Sequence, residues 1–381
     1  MSERIPFNKP YLTGKEAHYI YQAVYSGKIS GNGQFTQRCQ RFFEERYGFG
    51  KCLLTTSCTD ALEMAALLAD IQPGDEVIAP TYTFVSTVNA FVLRGARIVF
   101  ADSQEQHPNL DPELVEPLIG PRTKALVAVH YAGVACDMER LAALAQKHGL
   151  FLIEDAAQAI DSFHDGRPLG SFGHMAAFSF HETKNIISGE GGMLVVNDES
   201  LRRRAEIIWE KGTNRAEFYR GEVNKYGWKD LGSSFLPSDT IAAFLFAQLE
   251  NLDDIQRRRR EIWDAYQRSL EPLERRGWLE LPRLPGYATN NAHMFYLVCR
   301  DLAQRDRFLD FMRESRVVAV FHYLSLHESD YYRDKHDGRP LPRAARFNDC
   351  LVRLPLFYEL AQAQQERVCA LVHRFFEAEN A

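Results

Sequence analysis

The sequence predicts an α/β fold: a large domain built on a mostly parallel sheet inside helices, followed by a smaller C-terminal α+β domain. Three observations carry that reading. Between Lys51 and about Asn197, short apolar runs alternate with segments of helical periodicity. The runs are continuous rather than alternating in polarity, as expected of strands buried on both faces. A long helical stretch then starts near Ser238, and shorter strand-like and helical segments follow it.

Taken in order, Cys52-Leu53-Leu54 leads into a helical pattern over residues 59–69. Pro73-Gly74 turns the chain into Glu76-Val77-Ile78-Ala79, and residues 96–100 and 125–129 are the next apolar runs. A helix is expected over 138–148, with Gly149 as its stop. Residues 150–154, 176–180 and 193–196 complete the strands. Ser238-Asp239 reads as the cap of a long helix. Its apolar positions (Ile241, Phe244, Leu245, Leu249, Leu252, Ile255, Ile262, Trp263, Tyr266) keep helical spacing with one drift near Asp254. A helix of that length can bridge two domains, which places the large domain at 1–250 and the small one at 251–381. In the latter, strands are expected at 294–298 and 317–321 and helices near 305–314 and 362–376. Residues 211–236 are polar and aromatic with little periodicity. That is too long for a plain connector, so a functional loop or a contact with a partner subunit is expected.

Composition narrows the function. The 381 residues are 45% hydrophobic and 25% charged, as in an ordinary globular protein with a large core. A net charge of -6, with no strongly basic domain, argues against nucleic-acid binding. The cluster Arg257 to Arg260 reads as a solvated helix face, with a diphosphate contact as the alternative. The start, Met1-Ser2-Glu3-Arg4-Ile5-Pro6, lacks the apolar stretch of a signal peptide. No run of about 18 apolar residues is present, so no membrane span is expected. The seven cysteines are scattered, with no Cys-x-x-Cys pair. Reduced thiols in a cytoplasmic protein, and no metal site, are expected.

Four segments carry chemistry. Thr55-Thr56-Ser57-Cys58-Thr59 joins a strand to a helix N-terminus, where free N–H groups and the helix dipole favour an anion. Alone, the same residues are also an ordinary N-cap. Thr81-Tyr82-Thr83-Phe84-Val85-Ser86 follows a strand and offers an aromatic ring to a planar ligand, or to the core. Glu154-Asp155-Ala156-Ala157-Gln158 closes a strand, the end at which open α/β sheets bind ligands. A carboxylate there can keep a pyridine nitrogen protonated, or simply cap a helix. Finally, Phe178-Ser179-Phe180-His181-Glu182-Thr183-Lys184-Asn185 runs into Gly189-Glu190-Gly191-Gly192, presenting a lysine and a hydroxyl next to a tight backbone turn. No dinucleotide fingerprint and no phosphate-loop motif competes with this reading.

In this order, anion cradle, aromatic, strand-end acid, then lysine with a glycine loop, the sequence resembles the fold-type I pyridoxal-phosphate enzymes. More closely, it is similar to the DegT/DnrJ/StrS sugar aminotransferase family over nearly the whole chain. The resemblance also rests on Ser26 to Gly33, Pro73 to Ile78, His130-Tyr131-Ala132-Gly133 and Phe321-His322-Tyr323. It implies pyridoxal 5'-phosphate as cofactor, with pyridoxamine 5'-phosphate as its other form. It implies that Lys184 links to the cofactor, Asp155 binds the ring nitrogen, Gln158 meets the phenolic oxygen and Phe84 stacks on the ring. Ser57, Cys58, Thr59 and Ser179 would hold the phosphate. It also implies a homodimer with shared active sites. Lys184 would move protons, which needs an amine whose pKa is lowered by burial or a neighbouring cation.

Within the family, the runs 130–136, 181–185, 211–215 and 232–236 resemble the branch that forms dTDP-4-amino-4,6-dideoxy-D-galactose. That resemblance implies transamination of the C4 ketone of dTDP-4-keto-6-deoxy-D-glucose, with L-glutamate as donor. Arg215, Arg220 and Lys225 are the candidates for the diphosphate, Tyr226 and Trp228 for the base or sugar pocket, and Tyr323 for the hexose. Surface charge and small-domain packing are the alternatives for each. Two positions depart from the family pattern. Cys58 stands where many members carry Gly or Ala, so the cradle there would rest on main-chain donors. Leu236 stands where many supply an Asn to the partner chain, with Ser233 or Ser234 as its expected replacement. The rival readings are a C3 or gluco-specific C4 aminotransferase and, as a different class, a non-catalytic cofactor-binding regulator. Lys184 argues against the dehydratases of the family, which carry histidine there.

Overall fold

The computed structural model describes residues 3–380. Twelve strands are present: β1 (Cys52–Thr55), β2 (Glu76–Pro80), β3 (Arg97–Ala101), β4 (Thr123–Val129), β5 (Phe151–Asp155), β6 (Phe163–His164), β7 (Arg167–Pro168), β8 (Met175–Ser179), β9 (Gly192–Val196), β10 (Phe295–Val298), β11 (Val320–Phe321) and β12 (Leu351–Leu354). The helices are α1 (Glu16–Tyr25), α2 (Gln34–Tyr47), α3 (Cys58–Leu68), α4 (Ser86–Val92), α5 (Met138–His148), α6 (Glu199–Trp209), α7 (Arg215–Tyr219), α8 (Asp239–Leu249), α9 (Leu252–Arg275), α10 (Leu302–Glu314), α11 (Pro342–Cys350) and α12 (Gln362–Glu379).

Seven strands form the main sheet in the order β1-β9-β8-β5-β4-β2-β3. The pairs from β8 through β3 are parallel, whereas β9 runs antiparallel to both β8 and β1. Successive residues feed opposite faces. Leu53, Val77, Val127, Ile153 and Leu194 enter one core with α3, α4 and α6. Leu54, Ile78, Leu126, Leu152 and Val195 enter the other, with α2, α5 and α8. Both faces are therefore apolar, which is why these strands read as unbroken hydrophobic runs. A third core joins α9, α10 and α12 to the small sheet β10-β12-β11 through Trp263, Phe295, Phe308, Val352 and Phe376.

The long helical stretch is two helices. Glu250 and Asn251 separate α8 from α9, and the backbone leaves helical geometry at Asn251 (φ -112°, ψ 12°). Lys15 and Tyr19 hold the Glu250 carboxylate at 3.0 and 2.8 Å. Of these two helices it is α9 that spans the cores, with Leu252 and Ile255 in the large core and Ile262 to Leu270 in the small one. Asp239 does not cap its own helix. Its buried carboxylate lies against Gly33 and accepts from Phe35 N, Thr36 N and Thr36 Oγ1, capping α2 instead. The strand expected over 317–321 shortens to β11, and Val317 bridges Ile5. Residues 211–236 contain only the short α7 and isolated bridges such as Thr213 to Trp228. All seven cysteines are free. Among the described residues, no helix is long and apolar enough to cross a membrane.

Candidate active site

The parallel strands end on one edge of the sheet, and the site collects there. β5 terminates in Asp155, which is buried. Its Oδ2 accepts from Thr87 Oγ1 at 2.6 Å and its Oδ1 from Ala157 N at 3.1 Å. Thr87 spends its proton on Asp155, so Thr83, 2.7 Å away, donates to Thr87 in turn. This relay locks the carboxylate's direction.

Lys184 lies five residues past β8, on a turn closed by Lys184 N to His181 O, Glu182 N to Gly189 O and Ser188 N to Phe180 O. Gly189 takes φ 82°, which suits glycine. The lysine is only partly screened as a residue, but its amine reaches an enclosed space. Burial lowers its pKa, the negative charges available at Cys58 and Asp155 oppose that, and the Arg353 cation adds to it.

The cradle forms at the start of α3. Ser57 is the N-cap, and its Oγ accepts from Asp60 N at 3.1 Å. The first intrahelical bond is Ala61 N to Ser57 O, so the N–H groups of Cys58 and Thr59 remain for an anion. Gly192 opens β9 directly against this turn: a Cβ there would lie 2.3 Å from Cys58 N and from Ser57 C. Register aligns Ser179, Gly192 and Thr55 across β8, β9 and β1, which carries Ser179 to the cradle. Thr59 Oγ1 is bonded to Ser86 Oγ at 2.8 Å.

Gln158 is oriented at both ends: Oε1 accepts from Ala132 N at 2.6 Å, and Nε2 donates to the Tyr323 hydroxyl at 3.0 Å. One Nε2 hydrogen is left for a ligand oxygen. Tyr323 follows β11 with φ 45°, a left-handed conformation unusual for a tyrosine. It stacks on His322 at 3.5 Å and meets Tyr82 and Tyr131 edge-on. Phe84 is 56% exposed, with its ring 6.2 Å from that of Tyr323.

The substrate candidates divide. Tyr323 joins the cluster, whereas the contacts of Arg215, Arg220 and Tyr226 stay within residues 206–226. Arg215 bonds Tyr219 and lies 4.0 Å from Glu210, Arg220 pairs with Glu206 and Glu222, and Tyr226 packs on Phe218. Lys225 is exposed, and Trp228 is 81% exposed. Leu236 packs over Gly31 within the chain, while Ser233 and Ser234 are exposed. The arginine run is not one solvated face. Arg257 pairs with Asp254 and Glu261, and Arg258 binds the Tyr358 and Leu360 carbonyls. Arg259 is buried and donates to the Ala292 and His293 carbonyls.

Sequence reasoning missed Thr87 and Arg353. The signal for the second is a lone cation inside the apolar run Leu351-Val352-Arg353-Leu354. Arg353 faces Tyr82, Tyr131, Tyr323 and Lys184, and its guanidinium lies 4.7 Å from the Phe7 ring. Among the described residues no carboxylate is within ion-pair distance, and its buried Nε has no hydrogen-bond partner. Burial lowers its pKa.

An anion cradle of helix N–H groups, an oriented carboxylate at a strand end and an enclosed amine between them fit pyridoxal phosphate in charge and function. The sequence matches the DegT/DnrJ/EryC1/StrS aminotransferase family over residues 10–373. It is 32% identical to the spore coat polysaccharide biosynthesis protein SpsC of Bacillus subtilis over 377 residues, 97% of this chain and 96% of that one. It is 31% identical to the GDP-perosamine synthase of Escherichia coli O157:H7 over 373 residues, 98% of each. Among solved structures, S. venezuelae DesV in complex with a ketimine intermediate superposes with a TM-score of 0.90 at 30% identity, over 99% of each chain. The chain thus belongs to the DegT/DnrJ/EryC1/StrS family and is a pyridoxal-phosphate-dependent sugar aminotransferase.

Proposed function

We propose that the chain moves the amino group of L-glutamate to the C4 ketone of dTDP-4-keto-6-deoxy-D-glucose, giving dTDP-4-amino-4,6-dideoxy-D-galactose. The observation that carries the chemistry is the Asp155 carboxylate fixed by Thr87 and Ala157 at the end of β5, with Lys184 on the closed turn after β8 and Gly192 packed against the start of α3. The motif runs at 130–136, 181–185 and 211–215 support the choice of sugar. A GDP-sugar synthase among the relatives supports a nucleotide-linked substrate.

When bound, pyridoxal phosphate supplies an electron sink for the carbon that carries the transferred nitrogen. The chain's own residues do the rest. Asp155, held by Thr87 and Ala157, keeps the ring nitrogen protonated. The N–H groups of Cys58 and Thr59, with Ser57, Thr59 and Ser179, would hold the phosphate. Gln158 would offer its remaining N–H to the phenolic oxygen, and Phe84 would stack on the ring. Arg353 is a half-buried cation whose buried Nε has no hydrogen-bond partner and which has no carboxylate within ion-pair distance among the described residues, and a donor carboxylate would satisfy it. Lys184 takes the proton from the donor's Cα and later returns one to C4 of the sugar. Delivery from one side sets the galacto configuration.

The active assembly is a homodimer with shared sites. Exposed Tyr21, Val24, Tyr25 and Ile29 near α1, with Tyr219, Tyr226, Trp228 and Leu231 in the 211–236 loop, support a covered surface. In the dimer, Arg215, Arg220 and Lys225 meet the diphosphate, and Ser233 or Ser234 takes the place of the missing asparagine. Seven free cysteines support a reducing compartment, the cytoplasm.

The test is incubation of the holoenzyme with L-glutamate and the dTDP-linked ketosugar, with NMR of the product. A small H3–H4 coupling marks the galacto product. A large one assigns the gluco epimer, and nitrogen on C3 overturns the regiochemistry. A parallel reaction with a GDP-linked 4-keto-6-deoxy sugar tests the nucleotide. Lys184→Ala should stay folded and inactive; retained turnover would sink the role of the lysine.

A further inference from the structure

We infer that His293 is a positioning residue for Lys184, acting through Asn185, and that it does so with its proton on Nδ1. The inference rests on the reading of Lys184 as the cofactor-linked lysine. Asn185 follows that lysine directly, and its side chain is buried and bonded to three partners. Asn185 Nδ2 donates to the backbone carbonyl of Asn291 at 2.8 Å and to Gln256 Oε1 at 2.8 Å. A backbone carbonyl only accepts, so the amide cannot be turned over. Its Oδ1 therefore faces His293 Nδ1, 2.9 Å away. An amide oxygen also only accepts, so the imidazole donates from Nδ1.

The second imidazole nitrogen is discouraged from taking a proton. Burial opposes it first, and the cations of Lys184, Arg259 and Arg353 add to that. His293 thus serves as a fixed donor rather than a titrating group.

Its own position is set from both sides. Asn291 Oδ1 accepts from His293 N at 3.0 Å, and Asn291 Nδ2 donates to the Gln158 and Ile160 carbonyls, both at 2.8 Å. Gly133 packs against the Asn291 side chain so closely that a Cβ would lie 2.0 Å from Oδ1. From the other side Arg259, on α9, holds the carbonyls of Ala292 and His293 at 3.1 and 2.8 Å, with Ala292 at φ 51°. The lysine loop, the Gln158 segment, the linker before β10 and the interdomain helix therefore meet at one clamp. A lysine side chain has four rotatable bonds, so its amine is aimed only if its backbone is held, and Asn185 does the holding.

The experiment compares His293→Asn with His293→Leu. Asparagine can place an N–H where Nδ1 stands; leucine leaves Asn185 Oδ1 without a donor. His293→Asn should keep kcat within about threefold of wild type. His293→Leu should lose on the order of a hundredfold in kcat, the scale of a small misplacement of a reacting group, with smaller changes in KM. Its visible circular dichroism, which reports how the cofactor is held, should weaken at equal cofactor loading. A His293→Leu enzyme with wild-type kcat and dichroism overturns the inference, as does a His293→Asn enzyme that loses activity as fully. Should His293→Leu not fold, His293→Asn decides alone on the same threefold criterion. Borohydride reduction and peptide mapping of the wild-type holoenzyme separate the two levels. Cofactor fixed on a residue other than Lys184 overturns the underlying reading as well. Cofactor fixed on Lys184 leaves that reading standing whatever the His293 variants do.

Discussion

Glu154 precedes Asp155 and is fully buried, so its replacement by glutamine tests how firmly the end of β5 is anchored. Its Oε1 accepts from Phe172 N and Gly173 N, both at 2.7 Å. Its Oε2 accepts from Gly170 N at 2.8 Å and from His130 Nε2 at 3.0 Å. His130 Nδ1 accepts from Cys136 N at 3.2 Å, so the imidazole proton is on Nε2. Four donors thus converge on one carboxylate. Glutamine has the same shape and opens no cavity, but its NH2 must sit at one end. Placed at Oε1, it strands the N–H groups of Phe172 and Gly173. Placed at Oε2, it strands Gly170 N–H, and a switch of the His130 tautomer only moves the second loss to Cys136 N–H. Either way two buried donors lose their acceptor, at about 1–3 kcal/mol each. The expected loss is about 2–6 kcal/mol, a large share of the roughly 5–15 kcal/mol that holds a folded domain. Urea unfolding of both apo-proteins at equal concentration, followed by far-ultraviolet circular dichroism, measures it. A loss under about 1 kcal/mol would refute the reasoning, because it would mean that the four donors find other acceptors.

Asp239→Ala should cost about 2–4 kcal/mol, since it removes a buried acceptor from three donors at the start of α2. Asp239→Asn should cost less, because one oxygen remains, and thermal unfolding of the pair checks the order. Arg353→Leu should reduce kcat/KM for L-glutamate by roughly thirtyfold or more, from about 2–5 kcal/mol for an anion left without its buried partner. Single-turnover assays of the two half-reactions check it: an equal loss with the sugar would contradict a carboxylate seat. Lys184→Met should stabilise the apo-protein at neutral pH, because burial lowers the lysine's pKa below its unfolded value of 10.5. The unfolded chain then binds the extra proton, so the wild type gains stability as pH rises through that window. The advantage of Lys184→Met should shrink towards pH 10.5, and unfolding titrations across pH measure the trend.

The large domain was legible because both faces of its sheet are apolar, so each strand appears as an uninterrupted run. The direction of β9 and β1 was not, since an apolar run looks the same parallel or antiparallel. The break at Glu250 and Asn251 showed in the sequence only as the drift near Asp254, because Leu249, Leu252 and Ile255 keep near-helical spacing across it. Asp155, at a strand end, and Lys184, on the turn before a glycine loop, could be proposed from their local sequence. Thr87 and His293 could not, because each acts through a neighbour distant in sequence, whereas Arg353 left only the mark of a lone cation in an apolar run. Thr87 orients an acid on another strand, Arg353 arrives from the small sheet, and His293 reaches Lys184 only through Asn185. The Asp239 carboxylate likewise serves a helix two hundred positions upstream, which no local capping pattern announces.

The pairing of β1 with β9 also sets an order of events during synthesis. β1 is complete at Thr55, is buried along its whole length, and hydrogen-bonds in the sheet to β9 alone, which begins at Gly192. Until that glycine leaves the ribosome, the first strand has no sheet partner, and the turn at Ser57 and Cys58 lacks the backbone that closes against it. Arg353 emerges later still. A chain cut short before β9 therefore lacks the backbone that packs against the start of α3, and the colour of a tightly held cofactor would report that translation had passed Gly192.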